Sequence, residues 1–539
     1  MTTMHDLTAQ VESCKEIIQT MGGPGGATMR RYSLLCSILS LVLLMPAAGA
    51  RGDVTVAPGG GTPGTSSNLE LVGHEPLFGR GMNAALAVHG DFVYVGNRTD
   101  GSSTCGLGDP RREEDGEDTC EHPNPGILVV DSSDPTDPEV VNEIGPPHAG
   151  HPSETTRELR VWTRHDLLIV ESFRCSPVIH SCDGGSVTPA FRFFDLSNPA
   201  APEFISEWTP RQANGAVRTP HEFYLWEDPE DPDRALLWIS TPTTSRDPTN
   251  ANLLIADISG VPSGSQPVLV AQGTWNDQYP PMDNVALHSM TPRTDGLTTH
   301  LAHLSGFFLV LDTSDVATGN LPDGGVLSLN DKLLTPVENR PTWDNPNPGH
   351  SAVPFPGRKL SFITDEVYGT FTSPDFGCPW GWARAVRIRR PGRPLVIGEY
   401  KIAENSCPAP TQADQERASY ASHNPTLIHN LGFVTWHSGG LQAINIRDPR
   451  NMMQAGWYSP TPLASVANED PALSMGTNKV VMWSFPVIKD GLIYVVDLRN
   501  GLYLLRYTGS RASEVSDLTF LEGNSNLGDA VSLDNPTRP

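Results

Sequence analysis

At 539 residues, with 50 glycines, 49 prolines and 38% hydrophobic residues, the chain has the composition of many short strands joined by turns rather than of long helices. A formal net charge of −25 excludes nucleic acid as a partner, because a phosphate binder needs a basic footprint. It fits an acidic, solvated exterior.

The first element in chain order is a leader. Residues 29–50, MRRYSLLCSILSLVLLMPAAGA, join a basic start (Arg30, Arg31) to an apolar run and end on Ala48-Gly49-Ala50. This pattern predicts a cleaved signal peptide rather than an anchor, and a secreted or periplasmic mature protein. Met29 then serves as the start and residues 1–28 as a non-native extension. No later run is long and apolar enough to span a bilayer. Residues 51–67 are expected to be a flexible linker.

Cysteines agree with export. Cys14 and Cys36 fall in the removed segment, leaving Cys105, Cys120, Cys175, Cys182, Cys378 and Cys407 as three neighbouring couples. An oxidising compartment favours Cys105–Cys120, Cys175–Cys182 and Cys378–Cys407, although spacing leaves other connectivities open. Paired thiols are lost as metal ligands.

From residue 68 onward a pattern recurs: an apolar strand ending in Asp or an equivalent, a short turn with Pro, then another strand. Copies begin at Gly126 (GILVVDSSDPTDPEVVNEI), Phe191, Leu253, Phe307, Ala383, Leu441 and Gly501. The aligned positions are Asp131, Asp195, Asp257, Asp312, Arg387, Asn445 and Arg506, about 62 residues apart on average. A further strand pair precedes each copy, giving roughly four strands per unit, the content of a propeller blade. The expected fold is all-β: a seven-bladed β-propeller over residues 68–507. The last copy stops at Tyr507, so the strand near residues 68–74 is expected to complete it and close the ring, removing two exposed edges. Residues 508–539 are expected to form a loosely ordered tail.

The strands Leu128–Asp131 (LVVD), Leu254–Asp257 (LIAD) and Leu309–Asp312 (LVLD) carry a resemblance to the LVIVD-repeat family of exported bacterial propellers. The resemblance covers about residues 80–507 and implies the propeller fold, with little implied about activity. The copies at Arg387 and Asn445 depart from the signature.

Aligning the repeats places Asn83, Arg157 with Glu158, His221 with Glu222, His288, His350, His423 and Ser484 at the start of the innermost strands. A second ring, at the ends of the next strands, holds Glu171, Thr241, His303, Asp365 with Glu366, His437 and Asp497. Both rings should meet at one funnel mouth. The histidines His221, His288, His350 and His423, with His303 or His437 added, are candidate ligands for copper, zinc or iron. Glu222, Glu171, Asp365 and Glu366 are candidates to orient imidazoles or move protons. Arg157 would hold an anionic group on a small molecule. The arrangement is similar in architecture to the exported copper propellers of the selenium-binding protein family that oxidise small sulfur compounds, but no shared motif carries residues across.

The leading expectation is a metal-dependent oxidoreductase acting on a small molecule in the funnel. A non-enzymatic binding module using its broad faces at the cell surface, or a metal-dependent hydrolase or lyase, are the alternatives. Acidic stretches at Asp109–Glu121 and Asp228–Asp233 lack EF-hand spacing and are expected to be solvated loops. Asn97-Arg98-Thr99 is a glycosylation sequon.

Overall fold

The computed structural model describes residues 54–58, 60–106, 119–176, 180–281, 283, 285–343, 349–366, 380–406 and 418–534. The extension, the signal peptide, most of the acidic stretch after Asp109, and both Cys378 and Cys407 lie outside the described residues. Among those described, no helix is long and apolar enough to cross a membrane.

The chain is all-β and repetitive. Three strands come first: β1 (Val54–Ala57), β2 (Thr65–Ser67) and β3 (Leu69–Glu75). Antiparallel meanders follow, each running from an inner to an outer strand: β4 (Asn83–His89), β5 (Phe92–Asn97), β6 (Ile127–Asp131) and β7 (Glu139–Ile144), then β8 (Glu154–Trp162), β9 (Leu167–Arg174), β10 (Ala190–Asp195) and β11 (Glu203–Trp208). Next are β12 (Glu222–Glu227), β13 (Ala235–Ser240), β14 (Leu253–Asp257) and β15 (Val268–Gly273), then β16 (Ala286–Pro292), β17 (Thr298–Leu304) and β18 (Phe307–Asp312). After the short β19 (Leu327–Ser328) come β20 (Gly349–Pro354), β21 (Leu360–Asp365), β22 (Ala383–Arg387) and β23 (Leu395–Ile402). The series ends with β24 (Pro425–Leu427), β25 (Leu431–Thr435), β26 (Leu441–Asn445) and β27 (Met453–Ser459), then β28 (Val487–Lys489), β29 (Leu492–Asp497), β30 (Gly501–Tyr507) and β31 (Phe520–Glu522). The first two meanders are joined into one sheet by the single pair Asn97–Thr156.

The inner strands pack in succession, β4 on β8, β8 on β12, β12 on β16, β16 on β20 and β20 on β24, and β29 returns to β4. A shared core joins the two ends: Leu86, Val95 and Leu128 pack with Val487, Val496 and Leu504. This is a β-propeller arrangement, in which each sheet buries its faces only against its neighbours.

The repeat's aspartate has a local cause. It ends the third strand and turns the chain by accepting the backbone N–H two residues on: Asp131 from Ser133 at 2.9 Å, Asp195 from Ser197 at 2.6 Å, Asp257 from Ser259 at 2.8 Å and Asp312 from Ser314 at 3.0 Å. Asn445 does the same for Arg447 at 3.1 Å, so this departure from the signature preserves the turn.

Strand β3 pairs antiparallel with β30, from Leu69 opposite Tyr507 to Glu75 opposite Leu502. Two sequence expectations are corrected. The stretch 51–67 is not a plain linker: β1 pairs with outer strand β23 and β2 with β27, so both edges are covered. Nor is the stretch 508–534 loose. β31 pairs with β28 on its inner side, Ser525 bridges Leu225, and Asp534 accepts from Arg293 and from Thr294 at 2.7 Å. The apolar residues Leu518, Leu521 and Leu527 are buried and hold this segment across the inner strands.

Disulfides join Cys105 to Cys120 and Cys175 to Cys182. The sequon is a poor acceptor in the folded chain: Asn97 is buried and its amide donates to Pro125 O at 2.8 Å.

Candidate metal centre in the channel

Three of the channel-facing residues owe their direction to β-bulges. Register shifts fall between Thr156 and Glu158 on β8, between Leu287 and Ser289 on β16, and between Gly349 and Ser351 on β20. The extra residues are Arg157, His288 and His350. A bulge re-aims one side chain without disturbing the alternation on either side of it. His221 and His423 sit just before β12 and β24, their backbone N–H groups held by Ser240 O and Thr435 O. His437 follows β25 at φ +39°, a conformation rare outside glycine, fixed by reciprocal backbone bonds with Met482.

These elements bring five histidines into one chain of ring contacts. Ring centroids are 4.4 Å apart for His221–His288, 4.1 Å for His288–His350, 4.2 Å for His350–His423 and 4.9 Å for His423–His437. Glu366, just past β21, reaches three of them: its Oε2 lies 3.4 Å from His350 Nε2, and its Oε1 lies 3.2 Å from both His423 Nε2 and His437 Nε2. Potential ligand atoms form two groups, His288–His350–Glu366 and Glu366–His423–His437, each within 4.8 Å and sharing only Glu366.

The partners of the imidazoles assign their protons. His423 Nδ1 faces Trp483 O at 2.6 Å, and a carbonyl only accepts. His423 therefore carries a proton on Nδ1 and turns its Nε2 to Glu366. His350 is set the same way through a relay. Asn424 Nδ2 donates to Trp483 O at 3.3 Å, which fixes its Oδ1 as the acceptor for Ser351 Oγ at 3.1 Å. With its proton committed there, Ser351 Oγ accepts from His350 Nδ1 at 2.9 Å, and His350 Nε2 is turned to Glu366. At the other end, Arg157 Nη1 donates to His221 Nδ1 at 3.4 Å, so His221 shares its Nε2 proton with His288 Nε2 at 2.8 Å.

Burial sets the charges. Desolvation pushes His288 and His423 down to about 4 and holds His221 and His350 well below their ordinary value. Burial alone would raise Glu366, but the charges of His423 and His350 and hydrogen bonds from His423 and His437 hold it well below the usual carboxylate range. The result is a buried carboxylate enclosed by imidazoles. Such a set fits a cation of the imidazole-binding class, copper, zinc or iron, better than magnesium or calcium.

The other expected residues have different places. His303 does not join the cluster. Its ring lies against Trp275 and Tyr279, 6.2 and 5.9 Å between centroids, and neither ring nitrogen has a hydrogen-bond partner. Asp365 is drawn away by Arg384, with which it forms a short ion pair, and accepts from Trp343 Nε1 at 3.1 Å. Asp365 ends β21 and turns to Arg384, while Glu366, just past the strand, turns to the histidines. Glu222 accepts from Ser289 Oγ at 3.1 Å and stands 3.7 Å from His288 Nδ1; burial and Glu158 raise it to about 8. Glu171, buried opposite Glu158 on β8, is raised well above its ordinary value by desolvation and by Glu158. Of the remaining ring members, Thr241 donates to Ala251 O, Asp497 caps the turn to Asn500, and Ser484 accepts from Val496 N, all structural tasks.

Sequence reasoning missed the wall beside the histidines. Trp483 stacks on His437 at an interplanar angle of 7° and carries the Arg98 guanidinium 3.9 Å from its centroid. Arg98 meets His180 at 2.8 Å, inside the loop closed by Cys175–Cys182. No local motif marks these residues, since loops from distant repeats bring them together.

No family model and no curated protein matches the chain. Among solved structures it is similar to Sqt1 from Chaetomium thermophilum, at 13% identity over 80% of this chain and 86% of that one, TM-score 0.37. Sqt1 from Saccharomyces cerevisiae is 9% identical over 82% and 100%, TM-score 0.43. The C-terminal WD40 domain of Sif2 is 6% identical over 84% and 99%, TM-score 0.42. Likeness this low says nothing about chemistry.

Proposed function

We propose that the chain is an exported seven-bladed β-propeller of the LVIVD-repeat kind that holds a transition metal in its channel and acts on a small anionic molecule as a metal-dependent oxidoreductase. Export is supported by the leader and by two disulfides, which persist in oxidising compartments. The blade count is supported by the succession of meanders and by the pairing of β3 with β30.

The observation that carries the metal reading is the gathering of buried ligand atoms: those of His288, His350 and Glu366 lie within 4.8 Å of one another, and so do those of Glu366, His423 and His437. Imidazoles with a carboxylate among them suit a cation of the copper, zinc or iron class. When bound there, the metal supplies Lewis acidity and, for copper or iron, a redox couple. Half-buried Arg157, beside His221 and over the rings of Phe173 and Trp483, offers its remaining donors to an anionic group. Elemental analysis of the purified mature protein tests the reading. Transition metal close to stoichiometric supports it, and less than about a tenth of an equivalent after reconstitution overturns it.

A second reading, a non-enzymatic binding module, is favoured by the burial of the donors: His350 and His423 are 2% exposed and His437 is fully buried. An ion so enclosed would brace the ring while the outer faces bind a partner. Water-proton relaxation by bound copper(II) separates the two. Fast water exchange at the ion supports the small-molecule site, and its absence supports the brace.

A further inference from the structure

We infer that the channel centre is dinuclear, with Glu366 bridging two metal ions. The inference rests on the metal reading above and specifies its ligands. One carboxylate presents its two oxygens to different imidazoles: Oε2 to His350 at 3.4 Å, and Oε1 to His423 and His437 at 3.2 Å each. The outward nitrogens of His350 and His423 are held independently, His350 Nδ1 by Ser351 Oγ at 2.9 Å and His423 Nδ1 by Trp483 O at 2.6 Å.

Metal–nitrogen bonds are about 2.0–2.2 Å, so one ion gathers only donors that lie close to each other. The donors here divide into two groups, each within 4.8 Å, that have only Glu366 in common. Two ions, one in each group, use every donor.

The first ion takes His288, His350 and Glu366 Oε2, and the second takes His423, His437 and Glu366 Oε1. The fixed supports fit this role: each ligand imidazole has its other nitrogen engaged, His288 by His350 O at 3.2 Å and His437 by Ser419 Oγ at 3.1 Å.

Zinc(II) titrated into the metal-stripped full chain and followed by calorimetry tests the count, with copper(II) loading and electron paramagnetic resonance as an independent readout. Two zinc ions per chain, and a copper pair whose spins couple across the bridge, are expected. H288Q and H437N should each keep one ion. One ion in the wild type, or two ions with uncoupled copper spins, overturns the bridged pair while leaving a channel metal in place. No ion at all overturns the metal reading itself. The wild-type count and the copper spectrum stand whether or not either variant folds.

Discussion

His423 directs its Nδ1 proton to Trp483 O at 2.6 Å and so turns its Nε2 to Glu366 Oε1, 3.2 Å away. Replacing Glu366 removes the negative charge that makes this pocket a cation site. In the wild type, zinc at a hundredfold excess over its Kd should stabilise the fold by about 2.7 kcal/mol per bound ion, an upward shift of roughly 3 °C per ion for a chain of this size. E366Q should abolish that shift while melting normally without zinc. An unchanged zinc response in E366Q, by scanning calorimetry, would place the ion elsewhere.

Asp365 and Arg384 form a buried pair one residue away from the centre, both fully enclosed, with Arg384 also 4.7 Å from the rings of Trp343 and Trp382. R384M leaves a carboxylate without its cation and should cost about 3–5 kcal/mol, whereas the double variant D365N/R384M should recover much of it. Denaturant unfolding of the three proteins measures this. Zinc uptake by the double variant should match the wild type, because Asp365 faces away from the histidines.

How much of this was legible in the sequence depends on what the signal was. The third-strand aspartates recur because each caps the same turn, so period and strand content could be read directly. His221, His288, His350 and His423 could be aligned because each stands at an inner-strand start. The bulges that turn Arg157, His288 and His350 inward have no sequence signature here. Simple alternation breaks down in the second ring, where a one-residue difference sends Asp365 to Arg384 and Glu366 to the channel, and where His303 points into an aromatic wall between sheets. Trp483, Arg98 and the inward path of residues 518–527 depend on contacts between distant repeats, which spacing does not encode.

His303 gives a pH-dependent prediction. Burial pushes it down to about 3, so it is neutral in the folded chain across the whole range in which the unfolded chain takes up a proton near 6.5. The unfolded state then binds more protons between those values, and its contribution to stability is full above about 6.5 and lost as pH falls toward 3. H303F removes this linkage together with two unpartnered ring nitrogens. It should raise the melting temperature at pH 7 and flatten the acid side of the stability profile. A lower melting temperature at pH 7 would show that His303 has a partner when the protein is in solution.

The disulfides should contribute unequally. Closing 15 residues, Cys105–Cys120 constrains the unfolded chain by about 3 kcal/mol, and Cys175–Cys182, closing 7, by about 2 kcal/mol. C175S/C182S carries a second consequence, because its loop presents His180 to Arg98 beside Trp483. It should weaken zinc binding, while C105S/C120S should lower stability alone. Equal effects of the two variants on zinc affinity, by calorimetry, would contradict this division.

Anomalous diffraction at the zinc edge, from crystals of the full chain grown with zinc, tests the central claim most directly. The account predicts peaks against both carboxylate oxygens of Glu366, one toward His288 and His350 and the other toward His423 and His437. Zinc bound only at surface carboxylates, with no anomalous density beside Glu366, would contradict it.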